Sequence, residues 1–194
     1  MKDLTYGSVC SGIEAVSVAW DGLNLKPIWF SEIEPFPCAV LAHHYPSVPN
    51  YGDMTTLPER ILSGEIEAPD ILVGGTPCQA FSVAGTLKRK GGALSGGSET
   101  LIVNIGATLT TGFGGRGVDS DQICDGNCVI NYPKVRKLTP VECERLQGFP
   151  DNYTQIPWKN KPAEQCPDTP RYMAIGNSMA VPVMRWIGER MCRI

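Results

Sequence analysis

Apolar segments of two kinds alternate along the first 75 residues. Some are rich in β-branched and aromatic residues and have the length of buried strands, whereas the stretches between them carry apolar residues at helical spacing. This alternation predicts a mainly parallel, doubly wound sheet and therefore an α/β fold class. The predicted strands are Leu4–Cys10, Ile28–Glu32 and Asp70–Gly74, and the predicted helices between them are Ile13–Trp20 and Phe36–Tyr45.

Two further helices are predicted towards the other end of the chain. Thr139 has the position of an N-cap, Pro140 stands in the first helical turn, and Glu142 can reach back to complete a capping box. A stable helix therefore explains this stretch without any contact to DNA. From Val181 to Met191, apolar residues recur at helical spacing, which favours packing on the sheet over contact with a substrate.

One cysteine follows directly after the third predicted strand. The apolar run that ends at Gly74-Gly75 leads into Thr76-Pro77-Cys78-Gln79. Ligands and reacting groups of open α/β sheets gather at the carboxyl ends of the strands. Pro77 also fixes the backbone before the thiol. The position suits a nucleophile, with a buried, inert thiol in a strand-to-loop turn as the alternative.

Three segments of the first half together predict a nucleoside site. The strand-to-helix turn Ser11-Gly12-Ile13 lacks the full glycine fingerprint of dinucleotide-binding proteins. Glu34 follows about twenty residues after Gly12, where nucleoside-binding sheets place a carboxylate for ribose hydroxyls. Asp53 is a candidate acceptor for an adenine amino group, and surface solvation or helix capping is the alternative for both acids. A ligand with ribose, adenine and no pyrophosphate is S-adenosylmethionine, which is the predicted cofactor.

Composition narrows the possible functions. The 194 residues are 42% hydrophobic and carry a formal net charge of −3. They can form a globular core, but they give no overall basic signature. DNA binding would therefore depend on local clusters, Lys88-Arg89-Lys90 and Lys134, Arg136 and Lys137, for which a solvated surface is the alternative.

Cysteine usage and hydropathy predict a location. Eight cysteines without a secretory leader favour a reducing cytoplasm. No apolar run reaches the length of a bilayer span, so no membrane is expected. Cys124 and Cys128 have no second ligand pair at the spacing of a zinc site, and no metal is predicted.

The segment from Gly74 to Gly85 closely resembles the catalytic loop of DNA (cytosine-5)-methyltransferases, in which Pro-Cys-Gln is followed by Phe-Ser and a small residue before Gly. Here it reads Gly-Gly-Thr-Pro-Cys-Gln-Ala-Phe-Ser-Val-Ala-Gly. Further stretches are similar to other motifs of that family, and they follow in the family's order. They are Tyr6–Glu14 for the first cofactor motif, with Glu14 in place of a more usual glycine, Ser31–Glu34 for ribose binding, Gly52–Met54 for the adenine contact, Arg136–Pro150 for the helix beneath the target-recognition region, and Arg171–Pro182 for the loop that lines the methionine end.

This resemblance implies a Rossmann-like S-adenosylmethionine-dependent methyltransferase sheet. It also implies methyl transfer to carbon 5 of cytosine in DNA, as in restriction-modification or phage-type methylation, in the cytoplasm of a bacterium or a phage-infected host. Cys78 would be the nucleophile, placed by Pro77 and Gln79, and its target would be a cytosine flipped out of double-stranded DNA. The implied cofactor-binding residues are Ser11, Gly12, Ile13, Glu34, Asp53, Asn177 and Ser178.

The middle of the chain departs from the family. Relatives carry a Glu-Asn-Val motif, whose glutamate contacts the cytosine ring, and an arginine-rich motif, and neither stands between the Cys78 loop and the late helix. An apparent internal deletion is therefore expected, and a deletion in the gene, a deliberate shortening of the chain or a joining of separate segments would each produce it. Leu101–Ile105 is a candidate replacement strand. If the deletion is genuine, self-association through exposed apolar surface is expected. The predicted parts are the N-terminal part of the cofactor and catalytic domain at 1–90, a flexible linker with a target-recognition remnant at 91–135, and C-terminal helices that return to the cofactor domain at 136–194.

Two other functions stay open on the sequence. A catalytically inert relative that still binds S-adenosylmethionine or DNA is favoured by the missing glutamate motif. A cysteine hydrolase or redox enzyme would also use Cys78, but the sequence offers it no recognisable base partner and no resolving cysteine at close spacing.

Overall fold

Three parallel strands form the centre of the fold. The computed structural model describes residues 3–75, 128–131 and 134–192. Strand β1 (Leu4–Val9) lies between β2 (Leu25–Ser31) and β3 (Ile71–Gly74), and both neighbours run parallel to it. This confirms the parallel α/β arrangement that the hydrophobic pattern predicts. The carboxyl ends of the three strands consequently meet at one edge of the sheet.

The remaining elements are short helices and one hairpin. Strands β4 and β5 pair in antiparallel fashion, apart from the main sheet. The candidate strand Leu101–Ile105 and the proposed linker up to residue 127 lie outside the described residues, so the division into three parts stays a prediction. The elements are α1 (Ala15–Trp20), α2 (Pro35–His44), a 3-10 turn (Met54–Thr56), α3 (Leu57–Leu62), β4 (Cys128–Asn131), β5 (Lys134–Lys137), α4 (Pro140–Gln147), a second 3-10 turn (Ala163–Gln165), α5 (Asp168–Gly176) and α6 (Val181–Met191).

Two predicted boundaries were wrong. Helix α1 begins at Ala15 rather than at Ile13, because Gly12 and Glu14 adopt left-handed backbone angles that a right-handed helix cannot include. Strand β2 begins at Leu25, three residues before the predicted start. It contains Pro27, which lacks an N–H but is tolerated in a strand that pairs along one side.

The capping box of α4 is confirmed. The Thr139 hydroxyl accepts a hydrogen bond from the Glu142 backbone N–H at 3.3 Å, and the Glu142 carboxylate accepts one from the Thr139 N–H at 2.7 Å. Gly148 then ends the helix with a left-handed backbone conformation, a φ of 85°. Local chemistry alone thus sets both ends of α4.

Helix α6 packs on α1, as its apolar spacing predicts. The Trp20 indole N–H donates to the Met184 carbonyl at 2.8 Å. Gly188 permits this close approach, because a Cβ at that position would lie 2.4 Å from the Trp20 Nε1 atom. The backbone of α6 at Gly188 therefore packs directly against the Trp20 ring of α1.

Replacing Gly188 by alanine should destabilise the fold. In a helix interior, alanine is better than glycine by about 1 kcal/mol, but the new methyl group would overlap the hydrogen-bonded Trp20 ring. Overpacking of this kind costs about 1–3 kcal/mol, so we expect a net loss in the free energy of unfolding, measured by urea denaturation. Val183→Ala, on the exposed side of the same helix, should change it by less than about 0.5 kcal/mol. A more stable Gly188→Ala variant would contradict this packing.

Several large apolar side chains remain exposed in the described part of the chain. Leu72 on β3 is 65% exposed, and Val183 and Trp186 on α6 are 58% and 56% exposed. Self-association through such surface stays a prediction. Among the described residues, no helix is both long and apolar enough to cross a membrane.

Candidate cofactor-binding and catalytic site

The turn after β1 is held in an unusual backbone conformation. Cys10, Gly12 and Glu14 have φ values of 48°, 55° and 62°, so every second residue is left-handed. Only glycine adopts such angles without cost, and two of the three residues carry a side chain. The surrounding structure must therefore hold this turn in place.

Ser11 fixes the turn to β2. Its hydroxyl donates to the Ser8 carbonyl at 2.9 Å and accepts from the Ser31 N–H at 3.1 Å, while its own N–H donates to the Ser31 carbonyl at 3.2 Å. The side chain is buried. Ser11 was predicted to bind the cofactor, and its hydroxyl is engaged in holding the turn.

Ile13 is likewise turned inward. Its side chain is fully buried in the core, and its carbonyl accepts a hydrogen bond from the Tyr153 hydroxyl at 2.9 Å. Of the predicted Ser11-Gly12-Ile13 segment, Gly12 is the residue with open space around it, because a Cβ there would meet no atom within 4 Å. A ligand at this turn would therefore contact backbone rather than side chains.

Glu32 bonds directly to this turn, and sequence reasoning missed it as a site residue. One carboxylate oxygen accepts from the Gly12 N–H at 2.7 Å, and the other accepts from the N–H groups of Ile33 and Glu34 at 2.8 Å each. Asn50 supports it by pairing with both backbone polar groups of Glu32. The available signal was its place immediately after β2, since side chains at that edge face the ligand crevice.

Glu34 lies two residues further on, where α2 begins. It has the N-cap position, but its side chain makes no capping hydrogen bond and is exposed to solvent. Its predicted contact with a ribose stays a prediction. The carboxylates of Glu32 and Glu34 are thus two distinct candidates at the end of the same strand.

Asp53 comes close to the same turn. The Ser31 hydroxyl donates to the Gly52 carbonyl at 2.6 Å, and the Cys10 thiol contacts the Met54 sulfur at 3.7 Å. One oxygen of Asp53 accepts from the N–H and hydroxyl of Thr55, and these bonds hold the pKa of Asp53 below its usual value. Asp53 therefore caps the first 3-10 turn, as the alternative interpretation predicted. Its other carboxylate oxygen accepts no hydrogen bond from described residues.

The loop with Asn177 and Ser178 approaches the end of β3. Asn177 is exposed at the end of α5, and the Ser178 hydroxyl donates to the Met179 carbonyl at 3.3 Å. A Cβ on Gly75 would lie 3.4 Å from the Met179 side chain. This loop is therefore at the same edge of the sheet as Gly75, three residues before Cys78.

The predicted catalytic residues Pro77, Cys78 and Gln79 lie outside the described residues. Several other thiols are poor candidates for a nucleophile. Burial raises the pKa of Cys10, Cys38 and Cys166, and it raises the pKa of Cys143 to about 12. A thiol with a raised pKa contains little of the reactive thiolate at neutral pH. Within the described residues, no group of three or more His, Cys, Asp or Glu side chains is placed to hold a metal ion.

A parallel sheet with acidic side chains after its second strand, beside a glycine turn after its first, defines an α/β protein of the class whose ligands bind at the carboxyl ends of the strands. The family model described as C-5 cytosine-specific DNA methylase matches residues 4–111 and 107–193. The chain belongs to this family.

Curated relatives match part of the chain. A "DNA N-6-adenine-methyltransferase" of Escherichia phage P1 is 68% identical over 85 residues, which are 44% of this chain and 11% of that protein. The "Type II methyltransferase M.NlaIV" of Neisseria lactamica is 47% identical over 91 residues, 44% of this chain and 21% of that protein. The matches thus span about a tenth to a fifth of the relatives' length.

Solved structures support the fold. The Dnmt2 methyltransferase of S. pombe has a TM-score of 0.52 at 13% identity, with 98% of each chain covered. The methyltransferase EhMeth of Entamoeba histolytica has a TM-score of 0.52 at 13% identity, with 97% of this chain and 98% of that chain covered. The predicted methyltransferase-like α/β fold is confirmed.

Proposed function

We propose that the chain binds S-adenosylmethionine at the carboxyl edge of β1 and β2 and uses it to methylate carbon 5 of a cytosine in DNA. The observation that carries the proposal is the carboxylate of Glu32 bonded to the N–H of Gly12, with Asp53 on the adjoining segment. These groups are acceptors suited to ribose hydroxyls and an adenine amino group. Membership of the cytosine-5 family supports the reaction.

The hydrogen-bond acceptors at this edge of the sheet fit S-adenosylmethionine. The described edge presents acidic side chains, whereas a phosphate would be repelled by the carboxylates of Glu32 and Asp53. Glu32 or Glu34 would accept hydrogen bonds from the ribose hydroxyls, and Asp53 would accept one from the adenine amino group. Asn177 and Ser178 would contact the methionine end of the cofactor. When bound, the cofactor supplies an electrophilic methyl group.

The chemistry requires a nucleophile from the protein. Carbon 5 of cytosine is a poor nucleophile, and addition of the Cys78 thiolate to carbon 6 moves electron density onto carbon 5. Carbon 5 then takes the methyl group, a base removes its proton, and the bond between the sulfur and carbon 6 breaks. The cytosine must leave the DNA stack to reach the thiolate.

Two other activities have specific support. The missing Glu-Asn-Val motif favours an inert relative that keeps cofactor or DNA binding. The name of the phage P1 relative favours adenine methylation, but the matched part is 11% of that protein, and methylation of an amino group needs no cysteine nucleophile. Analysis of methylated nucleosides after incubation with duplex DNA would distinguish 5-methylcytosine, N6-methyladenine and no product. A role in restriction-modification rests on the name of relatives such as M.NlaIV.

Calorimetry with S-adenosylhomocysteine tests the binding site and separates the two glutamates. Glu32→Gln should weaken binding about tenfold or more, because a charge-assisted hydrogen bond is worth about 1.5–3 kcal/mol. Glu34→Ala should change the dissociation constant by less than about threefold if Glu32 holds the ribose. The reverse ranking would restore Glu34 as the ribose ligand. Absence of heat from the parent protein would remove the cofactor site itself.

A further inference from the structure

Glu14 is a fully buried acid beside the cofactor turn, and the proposed function gives it no role. One carboxylate oxygen accepts from both the N–H and the hydroxyl of Ser17 at 3.2 Å, so Glu14 caps α1. The other oxygen has no hydrogen-bond partner, and neither has the buried hydroxyl of Ser8. Two unsatisfied polar atoms in one small region are unusual for a native fold.

A proton on Glu14 would satisfy both atoms. Ser8 is close enough to Glu14 to oppose the rise of its pKa. A protonated carboxyl group could donate its O–H to the Ser8 hydroxyl while its other oxygen still accepts from Ser17. An ionised carboxylate could accept the Ser8 O–H instead, but it would place a charge with no opposite charge beside it in a fully buried site.

The surroundings of Glu14 are phenolic and uncharged. Tyr6 from β1 bonds to the Ser17 hydroxyl at 2.7 Å, and the Tyr153 hydroxyl donates to Ile13 and contacts the Tyr45 hydroxyl at 3.4 Å. Burial raises the pKa of all three tyrosines, so they stay neutral. Other charged or titratable groups on the neighbouring segments are Asp21 at the end of α1, His44 stacked on the Tyr153 ring, and Glu32, which bonds to Gly12.

Among the described residues, no cation contributes to the pKa shift of Glu14. Its pKa is raised to about 7 by burial, and the hydrogen bonds from Ser17 oppose that rise. Glu14 therefore binds its proton more tightly in the folded state than in the unfolded state. This contribution to stability is fully present below the unfolded value of about 4.5 and is lost as the pH rises through about 7.

Glu14 is also joined to the turn that would receive the cofactor. It stands two residues after Gly12, whose N–H is held by Glu32, and Ile13 between them is fixed by Tyr153. Its backbone is left-handed, with a φ of 62°, which costs a residue with a side chain about 1 kcal/mol or more. A side chain that is retained at such a position must offset that cost, and here it does so by anchoring the turn.

We propose that Glu14 is a positioning residue for cofactor binding: its neutral carboxyl group holds the Ser11–Ile13 turn in the shape that receives S-adenosylmethionine, and its ionisation loosens the turn. The proposal rests on the cofactor site proposed above. Proton loss from Glu14 leaves an uncompensated charge in the buried site, and this charge draws in water or displaces the turn. Cofactor affinity then falls, because the Gly12 backbone is no longer fixed.

Calorimetry with S-adenosylhomocysteine across pH tests this role, with Glu14→Gln as the matched variant. Glutamine keeps the oxygen that accepts from Ser17 and supplies a permanent N–H donor for Ser8, so it imitates the neutral acid. We expect the parent protein to bind about fivefold or more weakly at about pH 8.5 than at about pH 6. Glu14→Gln should keep the same tight affinity at both values. Groups of the ligand and other groups of the protein, such as His44, are the same in both proteins, so their effects cancel in the comparison.

A second variant and a cofactor-free measurement complete the test. Glu14→Gly relieves the left-handed backbone but removes the anchor, and should bind weakly at both pH values. Without cofactor, the thermal midpoint of the parent relative to Glu14→Gln should fall between about pH 5 and pH 8. Parallel pH profiles of the parent and Glu14→Gln in binding would overturn the positioning role while leaving the cofactor site intact. If no variant binds S-adenosylhomocysteine, the proposed function itself is wrong. If the difference in thermal midpoint between the parent and Glu14→Gln does not change with pH, Glu14 does not titrate in this range.

Discussion

Replacing Cys78 by serine should abolish methylation of cytosine and leave cofactor binding unchanged. A serine hydroxyl stays protonated at neutral pH and cannot add to carbon 6 as a thiolate does. The proposed cofactor site uses a different set of groups, at the ends of β1 and β2. The expected result is loss of methyl transfer from labelled S-adenosylmethionine to duplex DNA, with the same heat of S-adenosylhomocysteine binding as the parent.

DNA that contains 5-fluorocytosine gives a sharper form of the same test. Fluorine at carbon 5 cannot leave as a proton does, so an active enzyme stalls after methyl transfer with its sulfur still bonded to carbon 6. The adduct should form only with S-adenosylmethionine and should be absent from Cys78→Ser, whereas Cys143→Ser, at a buried thiol with a raised pKa, should still form it. A parent protein that binds cofactor but gives no adduct would favour the inert relative. The missing glutamate motif would then be the natural cause, since general acid help is worth about a hundredfold or more.

Replacing Arg171 by methionine should be the most damaging single change to stability. The guanidinium of Arg171 pairs with Glu144 at 3.2 Å and donates to the Thr154 hydroxyl at 2.9 Å, and both charged side chains are buried. Glu144 also accepts from the N–H groups of Asn152 and Thr154. Removing one member leaves a buried charge without its partner, which costs about 3–5 kcal/mol. Chemical denaturation should show this loss, a large part of the stability of an ordinary domain.

An exposed ion pair made by the residue next to Glu144 provides the control. Arg145 of α4 pairs with Asp151 at the surface, so Arg145→Met should cost less than about 1 kcal/mol. A double variant, Glu144→Leu with Arg171→Met, should be more stable than Arg171→Met alone, because it leaves no unpaired buried charge. Equal costs for Arg171→Met and Arg145→Met would contradict the account of a desolvated pair.

Local sequence patterns were sufficient to predict most helices and strands and the family motifs. The alternation of apolar segments predicted three parallel strands, and the Thr139 capping box and the apolar spacing from Val181 to Met191 predicted two helices that the structure contains. These features depend on residues a few positions apart, and the conformation of such a segment follows from its own side chains. The order of the motifs likewise predicted the cytosine-5 family.

The place of each motif side chain in the molecule follows from the three-dimensional fold and not from the motif. Ser11 and Ile13 belong to a motif read as cofactor-binding, yet one holds β2 and the other fills the core. Glu32, rather than Glu34, contacts the Gly12 turn, and Glu144 meets Arg171 across 27 positions of sequence. The physical reason is that burial and hydrogen-bond partners are set by segments distant in sequence, whereas a motif records residue types and spacing. The neutral, buried environment of Glu14 arises in the same way, from tyrosines supplied by three separate parts of the chain.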